Sequence, residues 1–216
     1  MSLKLLFLIF ISYSILGWVI EVILKYNQFK RFINRGFLIG PYCPIYGVAA
    51  VIMTLLLSKY IEYPIHLFFS AVLICSSLEY VTSFILEKIY HARWWDYSNR
   101  KFNLNGRICL DTTVKFGILG VIMIYVFNPA LLYLINIINN KVLDIIALIL
   151  AIIFVTDLII SFIVLVEVKK DNLTEKDNTE EIREKSNKII LNNGLLRRRL
   201  FKAYPTFINL IKKYKK

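Results

Sequence analysis

The sequence is poor in the residues that carry redox and metal chemistry. Its 216 residues include three cysteines and two histidines. Cys43, Cys75 and Cys109 form no C-x-x-C pair, so we interpret them as small packing residues, which excludes a disulfide scaffold. His66 and His91 are isolated from one another and from the cysteines, which argues against a zinc site. We therefore expect no metal and no cofactor.

Sequence motifs of nucleotide hydrolysis and of common hydrolases are also missing. No G-x-x-x-x-G-K-[ST] segment is present, so the chain cannot hydrolyse ATP as a P-loop protein. Neither G-x-S-x-G nor H-E-x-x-H occurs. The sequence contains no internal repeat, which leaves a two-repeat transporter architecture within one chain unsupported.

Charged residues are scarce as well, at 19%, whereas hydrophobic residues make up 57% of the chain and the mean hydropathy is +0.59. This balance excludes a soluble enzyme, a collagen-like chain and a disordered chain. The apolar residues fall in long blocks, which predicts an all-α, polytopic membrane helix bundle with about five transmembrane helices. The predicted spans are Leu3–Leu24, Pro44–Ser58, Ile65–Leu86, Phe116–Ile138 and Val142–Val166.

Three of these spans have distinctive features. The first has Lys4 near its start, as a signal peptide would, but it is too long and lacks a cleavage site, so we expect it to be retained. The second is at the lower limit of what can cross a hydrocarbon core of about 30 Å. Asn128 and Pro129 predict a kink in the fourth, because proline removes a backbone donor.

The net charge of +12 arises from 27 basic and 15 acidic residues. Basic residues are in excess after the first, third and fifth spans, and nearly balanced after the second and fourth. By the positive-inside rule, this pattern predicts an N-terminus outside and a C-terminus in the cytoplasm. We attribute the excess to topology and to contact with anionic membrane lipids, and expect no nucleic-acid partner.

The sequence divides into three predicted parts. Residues 1–168 form the transmembrane bundle, and residues 169–194 form a polar linker. Residues 195–216 repeat apolar side chains at helical spacing between arginines and lysines, which is typical of a basic amphipathic helix on the inner leaflet. A tail helix that packs on its own protein fits the same pattern equally well.

The segment from Asn34 to Gly47 is rich in glycine and proline, which prevents a regular helix through most of it. Irregular backbone at membrane depth is tolerated only where protein or a wet cavity surrounds it. We therefore predict a structured, re-entrant segment that faces a site and contributes Asn34, Arg35 and Tyr46. The alternative is a tight turn with aromatic anchors at the membrane interface.

A second dense segment, from Arg93 to Arg107, combines aromatic and charged residues. Arginine can bind a phosphate or carboxylate group through two parallel hydrogen bonds. Arg93 and Arg107, with Trp95 and Asp96 between them, are therefore candidate binding residues that could converge with Arg35. Salt-bridged topology markers remain the alternative.

Acidic residues inside the apolar spans are a third indication of a polar site, after the two dense segments. A charge at the centre of a membrane helix costs about 2.5–3.5 kcal/mol on insertion scales, so each acid needs a partner, a cavity or a proton. We expect Glu21 and Glu79 to join the three arginines in one polar chamber. Asp157 is predicted deeper, as a proton-linked site or as a neutral hydrogen-bonding group. Asp111 and Lys115, four residues apart, should pair with each other.

Several of these strings together resemble a bacterial family named putative type IV ABC-transporter permeases. The resemblance covers roughly residues 1–168. It rests on Asn34-Arg35-Gly36-Phe37-Leu38 with Gly40-Pro41, on Pro44-Ile45-Tyr46-Gly47, on Glu79-Tyr80 with Thr82-Ser83, on Arg93-Trp94-Trp95-Asp96-Tyr97-Ser98, and on Asn105-Gly106-Arg107 followed by Ile108-Cys109-Leu110. It implies a multi-pass bacterial membrane protein labelled as a transporter, and carries over no substrate or mechanism.

These observations lead to a primary hypothesis of an integral membrane transport protein, a permease subunit of the bacterial plasma membrane. Its Arg- and Glu-lined chamber would open to the cytoplasm and take an anionic or amphiphilic substrate. The expected partners are membrane lipids, a separate ATPase subunit and further copies of the chain. The alternative is a membrane enzyme that acts on a lipid phosphate or a similar amphiphile at the inner leaflet, and a weaker third is a non-catalytic assembly subunit.

Overall fold

The computed structural model describes residues 1–36, 38–90 and 93–174, and of residues 90 and 164–174 the backbone alone. This part of the chain is almost entirely helical, which confirms the predicted all-α membrane bundle. Its elements are α1 (Leu3–Phe29), α2 (Pro44–Leu57), α3 (Pro64–Tyr90), β1 (Asn103–Leu104), β2 (Ile108–Cys109), α4 (Leu110–Ile122), α5 (Asn128–Ile137) and α6 (Asn140–Thr174).

Four helical stretches of the described chain are long and apolar enough to cross a membrane: Leu3–Phe29, Pro64–Ile89, Leu110–Ile137 and Asn140–Ile163. α2 has 14 residues, which is about 21 Å at 1.5 Å per residue. A hydrocarbon core is about 30 Å thick, so the second apolar segment cannot cross it as this helix alone.

A non-helical segment, residues 30–36 and 38–43, precedes α2. The N–H of Cys43 donates to the carbonyl oxygen of Ser14, at 2.9 Å. Ser14 precedes Leu24, where the first span is predicted to end, by about 15 Å of helix. Before α2 begins, the segment therefore returns to the level of Ser14, inside the first predicted span, as the predicted re-entrant segment would, and we call it the re-entrant segment.

α1 and α2 approach each other closely through small residues. A Cβ at Gly47 would collide with the Phe10 carbonyl and the Ser14 hydroxyl, and a Cβ at Gly17 would collide with the Tyr46 ring. Small residues allow helix backbones to come together where no hydrophobic force separates helix from lipid. This contact aligns the start of α2 with the second half of α1.

The fourth predicted span is interrupted where Asn128 and Pro129 were expected to disturb it. A π-helical turn, Met123–Phe127, joins α4 to α5, and Pro129 lies in the first turn of α5. Such turns arise where the regular hydrogen-bond ladder is broken. The turn directs the side chains of Met123 and Phe127 toward α1 and α2.

α6 runs beside α1 in the same direction. Lys4 and Asp144 form an ion pair at 2.7 Å near the start of both helices, and the Phe154 ring packs edge-on against Phe10, at 5.3 Å. Most other described apolar side chains of α6 are exposed, as a lipid-facing helix requires. The helix continues through Thr174, into the predicted linker, and the predicted tail at 195–216 lies outside the described residues.

Candidate functional site

The Glu21 carboxylate, in the second half of α1, joins three elements. Arg35 from the re-entrant segment forms an ion pair with it, Nε to Oε2, at 3.3 Å. The Tyr46 hydroxyl of α2 donates to the other oxygen, at 2.9 Å. One turn earlier, the Trp18 indole N–H donates to the Asn34 side-chain oxygen, at 2.7 Å. The five residues of these three contacts all lie within the first 46 residues of the chain.

Glu87, near the end of α3, forms ion pairs with two arginines. Arg93 donates from Nε to Oε2 at 3.0 Å, and Arg107 donates from Nη1 to the same oxygen. The Arg107 guanidinium also lies over the rings of Tyr80 and Phe84, at 5.6 and 5.4 Å, and its side chain is only 12% exposed. Arg93 and Arg107 therefore converge, with one carboxylate between them.

A tight turn explains why an Asn-Gly pair follows this charged segment. Asn105 and Gly106 have φ values of 53° and 68°, in the left-handed region that these two residue types tolerate best. A Cβ at Gly106 would lie 2.7 Å from the Asp96 carboxylate and 2.8 Å from the Arg93 guanidinium. The short β1–β2 hairpin thus packs its turn directly onto the ion pair of Arg93 and Asp96, whose atoms are 3.6 Å apart.

Trp95 and Asp96 have local partners. The Trp95 indole N–H donates to the Arg107 carbonyl at 2.9 Å. Asp96 accepts from the N–H and the hydroxyl of Ser98, at 2.9 and 2.5 Å. Burial by itself would raise the pKa of Asp96, but these two hydrogen bonds and Arg93 together lower it below its ordinary value.

Glu79 on α3 has a different environment. The Tyr97 hydroxyl donates to its Oε1 at 3.0 Å, whereas its Oε2 is buried and has no hydrogen-bond partner among the described residues. Burial is the main cause that raises the pKa of Tyr97, and the carboxylates of Glu79 and Glu21 raise it further. Tyr97 therefore binds Glu79 and lies within electrostatic reach of Glu21.

A cavity of about 90 Å³ lies between α1, α2, α3, α4 and the π-helical turn. Glu79 and Tyr46 line it, so it adjoins both polar groups. Most of its other walls are apolar and include Leu16, Ile45, Met53, Phe116, Met123 and Phe127. The arrangement combines an apolar pocket with a carboxyl oxygen that has no partner in the described part of the chain.

Asp157, on α6, holds the re-entrant segment. Its two oxygens accept the backbone N–H groups of Ile39 and Gly40, at 2.8 and 2.6 Å, and the hydroxyl of Ser161, at 2.9 Å. A Cβ at Gly40 would come within 2.7 Å of this carboxylate, so glycine permits the approach. Two N–H groups that we expected to face a site are thus bound by Asp157.

The nine predicted binding residues lie in two neighbouring groups. Glu21, Asn34, Arg35 and Tyr46 form the first group, and Glu79, Arg93, Trp95, Asp96 and Arg107 belong to the second. Asp157 is apart from both, at the re-entrant segment. The predicted pair of Asp111 and Lys115 is confirmed, at 2.8 Å.

Sequence reasoning did not select three residues that the structure brings into these groups. Glu87 binds Arg93 and Arg107, Tyr97 donates a hydrogen bond to Glu79, and Tyr13 lines the cavity. The spacing of Glu87 from Glu79, eight residues, places both on one helix face, which was a usable signal.

No group of three or more His, Cys, Asp or Glu that could hold a metal ion is found within the described ranges.

Comparison with known proteins gives one family. The family model described as "Putative ABC-transporter type IV" matches residues 8–162, more than half of the chain. No curated protein and no solved structure matches the chain. The matched region contains both polar groups, the cavity and Asp157. The chain therefore belongs to this ABC-transporter family and is a multi-pass membrane transport protein.

Proposed function

We propose that this chain is the membrane-embedded subunit of a transporter, and that its two polar groups and the adjoining cavity form a chamber, open to the cytoplasm, for an amphiphilic substrate. The observation that carries the proposal is the position of Glu79, which belongs to the second polar group and also lines the apolar cavity. An amphiphile needs both kinds of surface, because its polar end must be hydrogen-bonded while its apolar part is kept from water.

The charges favour an amphiphile over a simple anion. Arg35 is paired with Glu21, and Arg93 and Arg107 share Glu87. An arginine whose charge is already balanced by a carboxylate attracts an anionic substrate less strongly than an arginine without such a neighbour. The acids in the two groups, Glu21, Glu79, Glu87 and Asp96, also outnumber these three arginines.

We propose partners for this chain from its family membership and from the absence of a P-loop motif in its sequence. An ABC transporter couples transport to ATP hydrolysis, and this sequence has no P-loop. We therefore assign ATP hydrolysis to a separate subunit. We further propose a homo-oligomer in the plasma membrane, in contact with anionic lipids on the cytoplasmic side.

Reconstitution tests the proposal. The tagged chain is captured from gently solubilised native membranes, and the complex is placed in sealed vesicles with radiolabelled octyltrimethylammonium or octyl sulfate. We expect ATP-dependent accumulation of an unmodified amphiphile, lost in Glu79→Gln and retained in Lys115→Ala, whose ion pair with Asp111 is exposed.

Two results would contradict transport. One is the absence of a captured ATPase together with no accumulation of either amphiphile. The other is chemical conversion of an added lipid by the purified chain alone, with turnover lost in Glu79→Gln, which would indicate the lipid-acting enzyme instead.

A further inference from the structure

Two polar atoms of residues that line the cavity have no partners among the residues that the structure describes. Glu79 Oε2 and Tyr13 Oη are buried, and neither has a hydrogen-bond partner within the described ranges. Both residues line the same cavity and are nearly inaccessible, at 5% and 7% exposure. Buried polar groups in folded proteins are almost always paired, so two unpaired ones on one cavity point to a missing partner.

For the ionised carboxylate of Glu79, the missing partner is a donor. A carboxyl oxygen accepts hydrogen bonds, and Tyr97 already supplies the one donor that reaches Glu79 from the described protein. None of the residues that line the cavity is a lysine, arginine or histidine. A cationic group brought by a ligand would therefore meet no competitor, and it would offset the unfavourable burial of the carboxylate.

The walls specify the rest of the ligand. Apart from Glu79, they consist mainly of aliphatic and aromatic side chains, and the rings of Tyr13, Tyr46, Phe116 and Phe127 are among them. Aromatic faces attract cations, and apolar walls favour an alkyl chain. At about 90 Å³ the cavity is smaller than the engineered cavity of about 150 Å³ that admits benzene, so it fits a short alkyl group or the end of a longer one.

We infer that this cavity binds the amine-bearing end of an apolar primary amine, with the ammonium on Glu79 Oε2 and the alkyl part against the apolar walls. The inference names the substrate class of the proposed chamber and rests on that proposal, because Glu79 belongs to both. The Tyr13 hydroxyl supplies a second acceptor for the ammonium group. A hydrogen bond from each of the two residues to one ligand would pair both of the buried atoms.

Cys75 provides a native reporter of occupancy. It lies one helical turn before Glu79, lines the cavity and is a free, half-buried thiol. In the detergent-solubilised full-length chain, the rate at which methyl methanethiosulfonate modifies Cys75 is followed by peptide mass, and the rate without any probe is the reference. The probes are n-hexylammonium, n-hexanol and hexanoate at equal concentration.

We expect n-hexylammonium to slow modification of Cys75 at least fivefold, and the alcohol and the carboxylate to slow it less than twofold. Glu79→Gln should abolish the protection. Leu119→Trp, which fills the cavity from α4 and leaves Glu79 unchanged, should abolish it too. The second variant provides a result even where the first fails to fold, and size-exclusion profiles identify such a failure.

Equal protection by n-hexanol would overturn the assignment of an amine, and protection that persists in either folded variant would overturn the site. The assay uses neither ATP nor vesicles, so it separates this inference from the transport proposal. Protection without flux would contradict transport alone. Flux of an amphiphile without protection of Cys75 would contradict the amine site alone.

Discussion

Two regions of the molecule each enclose an acidic side chain, and they use it differently. In the region of α6 and the re-entrant segment, Asp157 accepts two backbone N–H groups and a hydroxyl. In the region between α1 and α4, Glu79 accepts one hydroxyl and leaves Oε2 unpaired beside a cavity. The two side chains are similarly buried, at 8% and 5% exposure, so burial does not distinguish them.

The difference lies in what the surrounding backbone offers. Residues 30–36 and 38–43 are not helical, so their N–H groups lack the intrahelical partners that regular structure would supply, and Asp157 satisfies two of them. The helices around Glu79 already use their N–H groups within the helices, and Tyr97, from the non-helical segment after α3, reaches Glu79 with its side-chain hydroxyl. A carboxylate that satisfies backbone groups stabilises the fold, whereas one with an unpaired oxygen is available to a ligand.

The strongest test of this difference removes the Asp157 carboxylate. Asp157→Ala should lower the free energy of unfolding by about 3 kcal/mol, because two buried N–H groups lose a charged acceptor. Unfolding in mixed detergent micelles measures it. Asp144→Ala, which breaks only the exposed pair with Lys4, is the matched control and should cost less than about 1 kcal/mol. Equal effects of the two variants would contradict a structural role for Asp157.

Gly40→Ala tests the same contact from the side of the backbone. The added Cβ would meet both the Asp157 carboxylate and the Tyr42 ring, so we expect a loss of about 1–2 kcal/mol in the free energy of unfolding. Combined with Asp157→Ala, the loss should be smaller than the sum of the two single losses, because the double variant lacks the clash with the carboxylate and keeps only the clash with the Tyr42 ring. Strict additivity in this double-mutant cycle would argue that the two residues do not interact.

Glu79→Gln tests the other side of the comparison. The amide keeps an oxygen for the Tyr97 hydroxyl and removes an unpaired buried charge, so the free energy of unfolding should change by less than about 1 kcal/mol. The same micelle assay measures it beside Asp157→Asn. A loss for Glu79→Gln as large as that for Asp157→Asn would mean that both acids serve the fold in the same way.

The smallest expected effect concerns Asp96, outside the spans. Its pKa is lower in the folded chain than the ordinary value of 3.8, so its ionised form stabilises the fold above that pH. The stabilisation should decline as the pH falls below about 3.8 and through the folded-state pKa. Melting temperatures of the wild type and Asp96→Asn, compared between pH 6 and pH 2.5, should converge in acid. A constant difference would refute the assigned pKa shift.

Several features of the fold were predictable because they depend on local composition. Long apolar runs predicted the helices that the structure contains, and the glycines and prolines of residues 34–47 predicted irregular backbone at membrane depth. The spacing of Asp111 and Lys115 predicted their pair. Which acid would bind which arginine was not predictable, since Glu21 and Glu87 acquire Arg35, Arg93 and Arg107 only when separate segments meet.

The sequence by itself determined that this chain occupies a membrane, because uninterrupted apolar segments have no stable alternative in water. It also determined that Glu79 and Asp157 needed partners, since a charge among apolar helices is costly wherever the chain places it. Only the tertiary structure decided which partners they received. The re-entrant segment meets α6 at Asp157, and the four helices around Glu79 leave a space that no side chain of the described residues fills. Hydrophobicity is a property of each segment, whereas hydrogen-bond pairing depends on atoms brought together from distant parts of the chain.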